Sequence, residues 1–126
     1  MKSIFIILLG ILCLFVLYGC KKKSNPSSLQ VQVENLTAKT AITIKITNQN
    51  NATILNVVNQ FGNTTYTASP VNVGDMLTIN INTNVPDDLQ GDGDGIVLFK
   101  YGGDEVGSIG GILQDRSTTL TINSDY

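Results

Sequence analysis

The chain contains no histidine and no tryptophan. Without an imidazole, Ser-His-Asp and Cys-His nucleophilic arrangements are excluded. Cysteine is almost as scarce, with Cys13 inside an apolar N-terminal stretch and Cys20 just after it. Once that stretch is removed Cys20 stands alone, so no intramolecular disulfide can form. The folded part must then rest on its hydrophobic core without a cross-link. Basic side chains are few. From residue 29 onward there are four, against ten acidic ones, a net charge of −6. Phosphate backbones call for a basic face, so this balance argues against nucleic acid and no nucleic-acid partner is expected. No window of helical length carries a 3.6-residue apolar period after the N-terminal stretch. Neither a P-loop nor a dinucleotide fingerprint occurs, and Gly107-Ser108-Ile109-Gly110 lacks the spacing of a nucleophile elbow. These absences lead to the expectation of a non-enzyme without a cofactor.

What is present begins with a leader. Lys2 gives a positive start, and residues 4–18 are apolar, interrupted by Gly10. Fifteen residues rise roughly 22 Å as a helix, short of the ~30 Å hydrocarbon core. A secretory signal helix fits that length better than a membrane span. The leader closes on Leu17-Tyr18-Gly19-Cys20. This stretch resembles the lipobox of bacterial lipoproteins, although Tyr18 is bulkier than the usual residue before the glycine. The resemblance implies that the Cys20 thiol takes a diacylglyceryl group, with palmitate-type chains, and that cleavage falls just before Cys20. The competing reading is an uncleaved N-terminal anchor with Cys20 an incidental thiol, which requires a span of this short length.

Cleavage would leave 107 residues with seven basic and ten acidic side chains, a net charge of −3. One acyl chain binds a bilayer marginally and two hold stably. Lys21, Lys22 and Lys23 would then lie at headgroup level, each contributing about 1 kcal/mol on an anionic surface. Residues 21–28 (KKKSNPSS) have nothing apolar to bury and read as a linker. The expected organisation is a signal peptide over 1–19, a lipidated cysteine and flexible linker over 20–28, and one domain over 29–126. By the same resemblance, lysines rather than acidic residues after the cysteine favour a protein on the outer membrane facing the periplasm. Display on the cell surface is the alternative.

From residue 29 the pattern alternates with period 2, the strand signal. Leu29, Val31 and Val33 alternate with Gln30, Gln32 and Glu34, as a first strand or an extended approach to one. Ile42, Ile44 and Ile46 alternate with Thr43, Lys45 and Thr47. The Asn-Gln-Asn-Asn run at 48–51 predicts a turn. Residues 54–68, punctuated by Gly62-Asn63, predict a β-hairpin. Pro70 ends that stretch or marks a sheet edge. Leu77, Ile79 and Ile81 form another inward set, and 86–95 reads as a polar loop. Val97, Phe99 and Tyr101 point inward in the most apolar run, and Gly102-Gly103 turns it into 104–109. Leu120 and Ile122 mark the last strand.

Seven or eight short strands in about 100 residues predict an all-β fold, a small immunoglobulin-like β-sandwich. Phe61-Gly62-Asn63, Val73-Gly74-Asp75-Met76-Leu77 and Phe99-Lys100-Tyr101-Gly102-Gly103 carry a resemblance to small immunoglobulin-like lipoprotein domains of Bacteroidota. They also resemble MmpS-type accessory lipoproteins more distantly. No functional residue is carried across from either.

Two ligand readings compete with a plain binding or envelope accessory module, and a structural spacer is a third. Asp87, Asp88, Asp92 and Asp94, interspersed with Gly91, Gly93 and Gly95, look a little like a calcium loop. The bidentate Glu and the flanking helices are missing, so Asp-Gly turns explain the segment and no metal is expected. Phe61 and Tyr66 are the aromatics placed to serve as an exposed glycan platform; Phe99 and Tyr101 belong to the core pattern. Cys20 is therefore the one site residue the sequence assigns, with membrane lipid its partner and any protein or glycan partner unidentified.

Overall fold

A computed structural model of the chain describes residues 27–84, 95–111 and 115–124. Among them are β1 (Leu29–Glu34), β2 (Ala41–Thr47), β3 (Thr53–Phe61), β4 (Thr64–Ala68), β5 (Met76–Asn84), β6 (Ile96–Tyr101), β7 (Asp104–Gly110) and β8 (Arg116–Thr121). They form two antiparallel four-stranded sheets, ordered β4-β1-β6-β7 and β3-β2-β5-β8. The all-β expectation holds, with two sheets packed as a sandwich. The signal stretch, the linker and the 87–94 loop lie outside the described residues.

Alternation builds the core. Leu29, Val31 and Val33 of β1, Ile42, Ile44 and Ile46 of β2, Leu77, Ile79 and Ile81 of β5, and Val97, Phe99 and Tyr101 of β6 are all buried. These belong to the four interior strands, where both neighbours hold the backbone and one face is sealed by the other sheet. Each fully buried aliphatic side chain contributes about 1.5–3 kcal/mol. Ala68, Val71 and Ile122 complete the cluster. β1 is therefore a true strand, paired on both sides. Ile122 lies one residue beyond β8, and its N–H donates to the Asp75 carbonyl at 3.0 Å.

The edge strands are less regular. β3 is bulged against β2, with Asn59 at φ 51° and its N–H donating to the Thr43 hydroxyl at 3.2 Å. Across the sandwich, β7 and β8 approach closely at Gly107. A Cβ there would stand 3.2 Å from Leu120 Cδ1, so glycine leaves room for the leucine.

One expectation is corrected. Residues 54–68 do not form a hairpin: β3 pairs with β2, whereas β4 pairs with β1 in the other sheet. Gly62, at φ 69°, and Asn63 carry the chain over the edge from one sheet to the other. The Asn63 side chain seals this corner by accepting the Leu36 N–H at 3.1 Å. A Gly-Asn step permits a sharp change of direction, but the partner is decided by burial. Beside β1, β4 packs Tyr66 and Ala68 against the core opposite Val31 and Leu29. β4 thus returns beside the first strand.

The turns follow their expected chemistry. Asn48 Oδ1 accepts the N–H groups of Asn50 and Ala52, both at 3.0 Å. Asn51 adopts φ 61°. Pro70 follows the end of β4, after a cis Ser69-Pro70 bond. Gly102-Gly103 links β6 to β7 as a hairpin.

Candidate functional site

Register places the connections at two ends of the sandwich. Leu29, at the start of β1, pairs with Ala68 and Tyr101, and Met76 pairs with Thr121. The Ser27 carbonyl accepts the Val71 N–H at 2.9 Å, so the chain comes in at this proximal end. At the distal end, Glu34 pairs with Ile96, Val33 with Thr64, and Ala41 with both Phe61 and Asn84. A strand of six residues separates the two ends by about 17–20 Å.

A cleft of about 360 Å³ opens at the distal end, lined by Gln32, Glu34, Asn35, Asn63, Thr64 and Thr65 among others. Its walls come from three local causes. Gln32 and Thr65 are opposite each other on the outer face of the β1–β4 pair. Asn35 ends β1 at φ 56°, a conformation that asparagine tolerates better than most residues. Asn63 is fixed from the other side by its bond to Leu36. The amides and hydroxyls both donate and accept hydrogen bonds and the Glu34 carboxylate accepts them, so this surface suits a polar ligand that carries donors and no negative charge. Gln32 Oε1 is buried and has no hydrogen-bond partner.

The Phe61–Tyr66 platform that the sequence offered as an alternative does not assemble. Phe61 is half exposed and stands opposite Ala41 on the outer face of the second sheet. Tyr66 stands opposite the buried Val31, packs against the core, and has its hydroxyl buried without a partner. Tyr66 therefore serves packing, and it shares no surface with Phe61. Asp87, Asp88, Asp92 and Asp94 lie outside the described residues, as does Cys20. Among the described residues no three His, Cys, Asp or Glu side chains gather as a metal site. No described helix is long and apolar enough to cross a membrane.

Comparison with known proteins finds no matching family model, no matching curated protein and no matching solved structure. The cleft is thus assigned from its own chemistry. Sequence reading missed it because Gln32, Asn35 and Asn63 are ordinary strand and turn residues until β4 pairs with β1. The one early signal was the chance of positive φ at asparagine.

The proximal end is chemically different. Asp75 accepts the Asn72 N–H at 2.8 Å and the Gln49 amide at 3.1 Å. Gln49 Oε1 in turn accepts the Met76 N–H at 3.2 Å. Tyr101 Oη donates to the Val71 carbonyl at 3.4 Å. Burial raises the Tyr101 pKa above the ordinary phenol value, and the negative charge of Asp75 adds to the rise.

Proposed function

We propose that the protein is a lipid-anchored, non-catalytic β-sandwich of the bacterial cell envelope that holds a recognition surface away from its membrane. The observation that carries this reading is directional. The chain comes in from residue 27 at the proximal end, and the polar cleft opens at the opposite end. An anchor on Cys20 would leave that cleft facing outward. The lipobox-like Leu17-Tyr18-Gly19-Cys20 supplies the anchor, and the lysines after it favour the periplasmic side of the outer membrane. The fold is immunoglobulin-like in the broad sense of two packed antiparallel sheets. Its strand order is a variant, since β1 lies between β4 and β6. In a constant-type immunoglobulin domain the first strand lies beside the second.

Cys20→Ser tests the anchor by fractionation of cells. The expected outcome is release from the membrane fraction or accumulation of the uncleaved precursor. A variant that matures and stays membrane-bound like the wild type would overturn the reading.

A second reading, glycan or other polyol binding, is favoured by the amides and hydroxyls of Gln32, Asn35, Asn63, Thr64 and Thr65 that line the cleft. Amide chemical shifts followed during titration with a monosaccharide panel test it. Shifts confined to Gln32, Asn35 and Asn63 support it, and an unchanged spectrum at saturating sugar removes it.

A further inference from the structure

Four large apolar side chains are exposed among the described residues: Val58 (62%), Phe61 (51%), Val73 (39%) and Met76 (52%). Val58 and Phe61 belong to the edge strand β3. Val73 and Met76 both lie at the proximal end, where the chain comes in. Val73 occupies the second position of the Asn72-Val73-Gly74-Asp75 turn, whose Gly74 has φ 92°. Met76 follows as the first residue of β5, on the outer face of its sheet opposite Thr121.

From this arrangement we infer that the proximal tip is a bilayer-docking surface, with Val73 and Met76 entering the lipid interface. The inference rests on the anchored reading above. Three observations bear on it. First, reach: seven steps separate Cys20 from Ser27, at most about 23–25 Å of extended chain. The Ser27 carbonyl is bonded to the Val71 N–H, so the tether is fixed to the sandwich two residues from Val73. Second, rigidity: the turn is braced on several sides. Asp75 N–H donates to the Asn72 carbonyl at 3.1 Å, and Gly74 N–H donates to the Ile122 carbonyl at 2.7 Å. The Gln49–Asp75 and Gln49–Met76 bonds hold it from the neighbouring turn. The tip therefore keeps its apolar side chains outward instead of folding them back. Third, charge: the Asp75 carboxylate at this tip is engaged by Asn72 and Gln49. Asp75 keeps its negative charge, and the exposed Asp104 and Glu105 at the neighbouring β6–β7 turn add to it, so Lys21, Lys22 and Lys23 along the tether supply the attraction toward anionic headgroups that offsets this end. Two exposed side chains would not bind a bilayer alone. A lipid anchor makes their contact intramolecular, so a small apolar gain suffices to hold one orientation.

The test uses the full-length protein, purified after maturation and reconstituted in phosphatidylethanolamine–phosphatidylglycerol vesicles. Mass spectrometry first establishes whether Cys20 is acylated. With that thiol blocked, a cysteine introduced as Val73→Cys, Met76→Cys or Asn63→Cys is the sole target for a nitroxide label. Paramagnetic accessibility is then read against dissolved oxygen and a water-soluble nickel chelate. The expected result is a severalfold higher oxygen-to-nickel ratio at residues 73 and 76 than at the distal residue 63. A reporter at Asn50→Cys, on the adjacent proximal turn, covers the event that a label perturbs the tip. Its shielding from nickel should be lost in the Val73→Ser/Met76→Ser background. Equal, aqueous accessibility at both ends of an acylated chain overturns the docking and leaves the anchor standing. Shielding from nickel with no gain in oxygen would mean that protein covers the tip, which also overturns it. A mature chain without acylation overturns the anchored reading and this one together.

Discussion

The two ends of this sandwich solve different problems with similar materials. Both are made of turns rich in Asn, Asp and Gly. At the proximal end, polar side chains are spent on the protein itself: Asp75, Gln49 and Asn72 tie one turn to its neighbour, and Ser27 to Val71 ties down the incoming chain. What they leave outside is apolar, Val73 and Met76. At the distal end the order is reversed. Leu36 is folded under, Phe61 stays half exposed on the neighbouring sheet, and Gln32, Asn35, Asn63 and Thr65 line an open cleft. A braced end bears position, and a polar open end can exchange water for a ligand. Local stability within one domain is free to vary in this way.

The largest expected effect tests the frame that both ends share. Ile44 is fully buried in an interior strand and paired with Ile81 and Val57. Ile44→Ala should lower unfolding free energy by about 2–5 kcal/mol, measured by denaturant titration. Both ends should lose amide protection together. Loss at one end alone would mean that the sandwich is not one cooperative unit.

The next test sets the ends against each other. Asp75→Ala removes two hydrogen bonds to a carboxylate and should cost about 1.5–3 kcal/mol. Asn63→Ala removes one neutral bond to Leu36 and should cost about 0.5–1.5 kcal/mol. Hydrogen exchange should quicken at Gly74 and Ile122 in the first variant and at Leu36 in the second. Equal costs would erase the distinction between a braced and an open end.

The smallest effect appears only in alkali. The folded state holds Tyr101 above its unfolded pKa, so below about pH 10 the phenol is neutral in both states and its burial is undisturbed. As pH rises past that value the unfolded chain releases the proton first, and stability falls. Tyr101→Phe should flatten this decline in thermal melts, on top of a pH-independent loss of about 0.5–1.5 kcal/mol for the hydrogen bond to Val71. An identical alkaline decline in the variant would place its source elsewhere.

Much of the sandwich was legible before any coordinates. The sets Ile42/Ile44/Ile46, Leu77/Ile79/Ile81 and Val97/Phe99/Tyr101 are the core, because a period of two states which face is buried. It does not state which strand lies alongside. Residues 54–68 show the cost: local turn chemistry at Gly62-Asn63 matched a hairpin, and pairing with β1 sent β4 to the other sheet. The cleft was illegible for the same reason, since it exists only where β1 and β4 are side by side. Tyr66 looked like a surface aromatic until its register with Val31 turned it inward. The reading of Cys20 comes from residue order alone and lies outside the described residues.

The position of β1 has a mechanical consequence. It is the first strand after residue 27 and is bonded along its length to β4 on one side and β6 on the other. Antiparallel bonds run perpendicular to their strands. Tension drawn through residue 27 along the strand axis therefore shears both ladders at once. The load is shared among many bonds in parallel, and the chain is not unzipped one bond at a time.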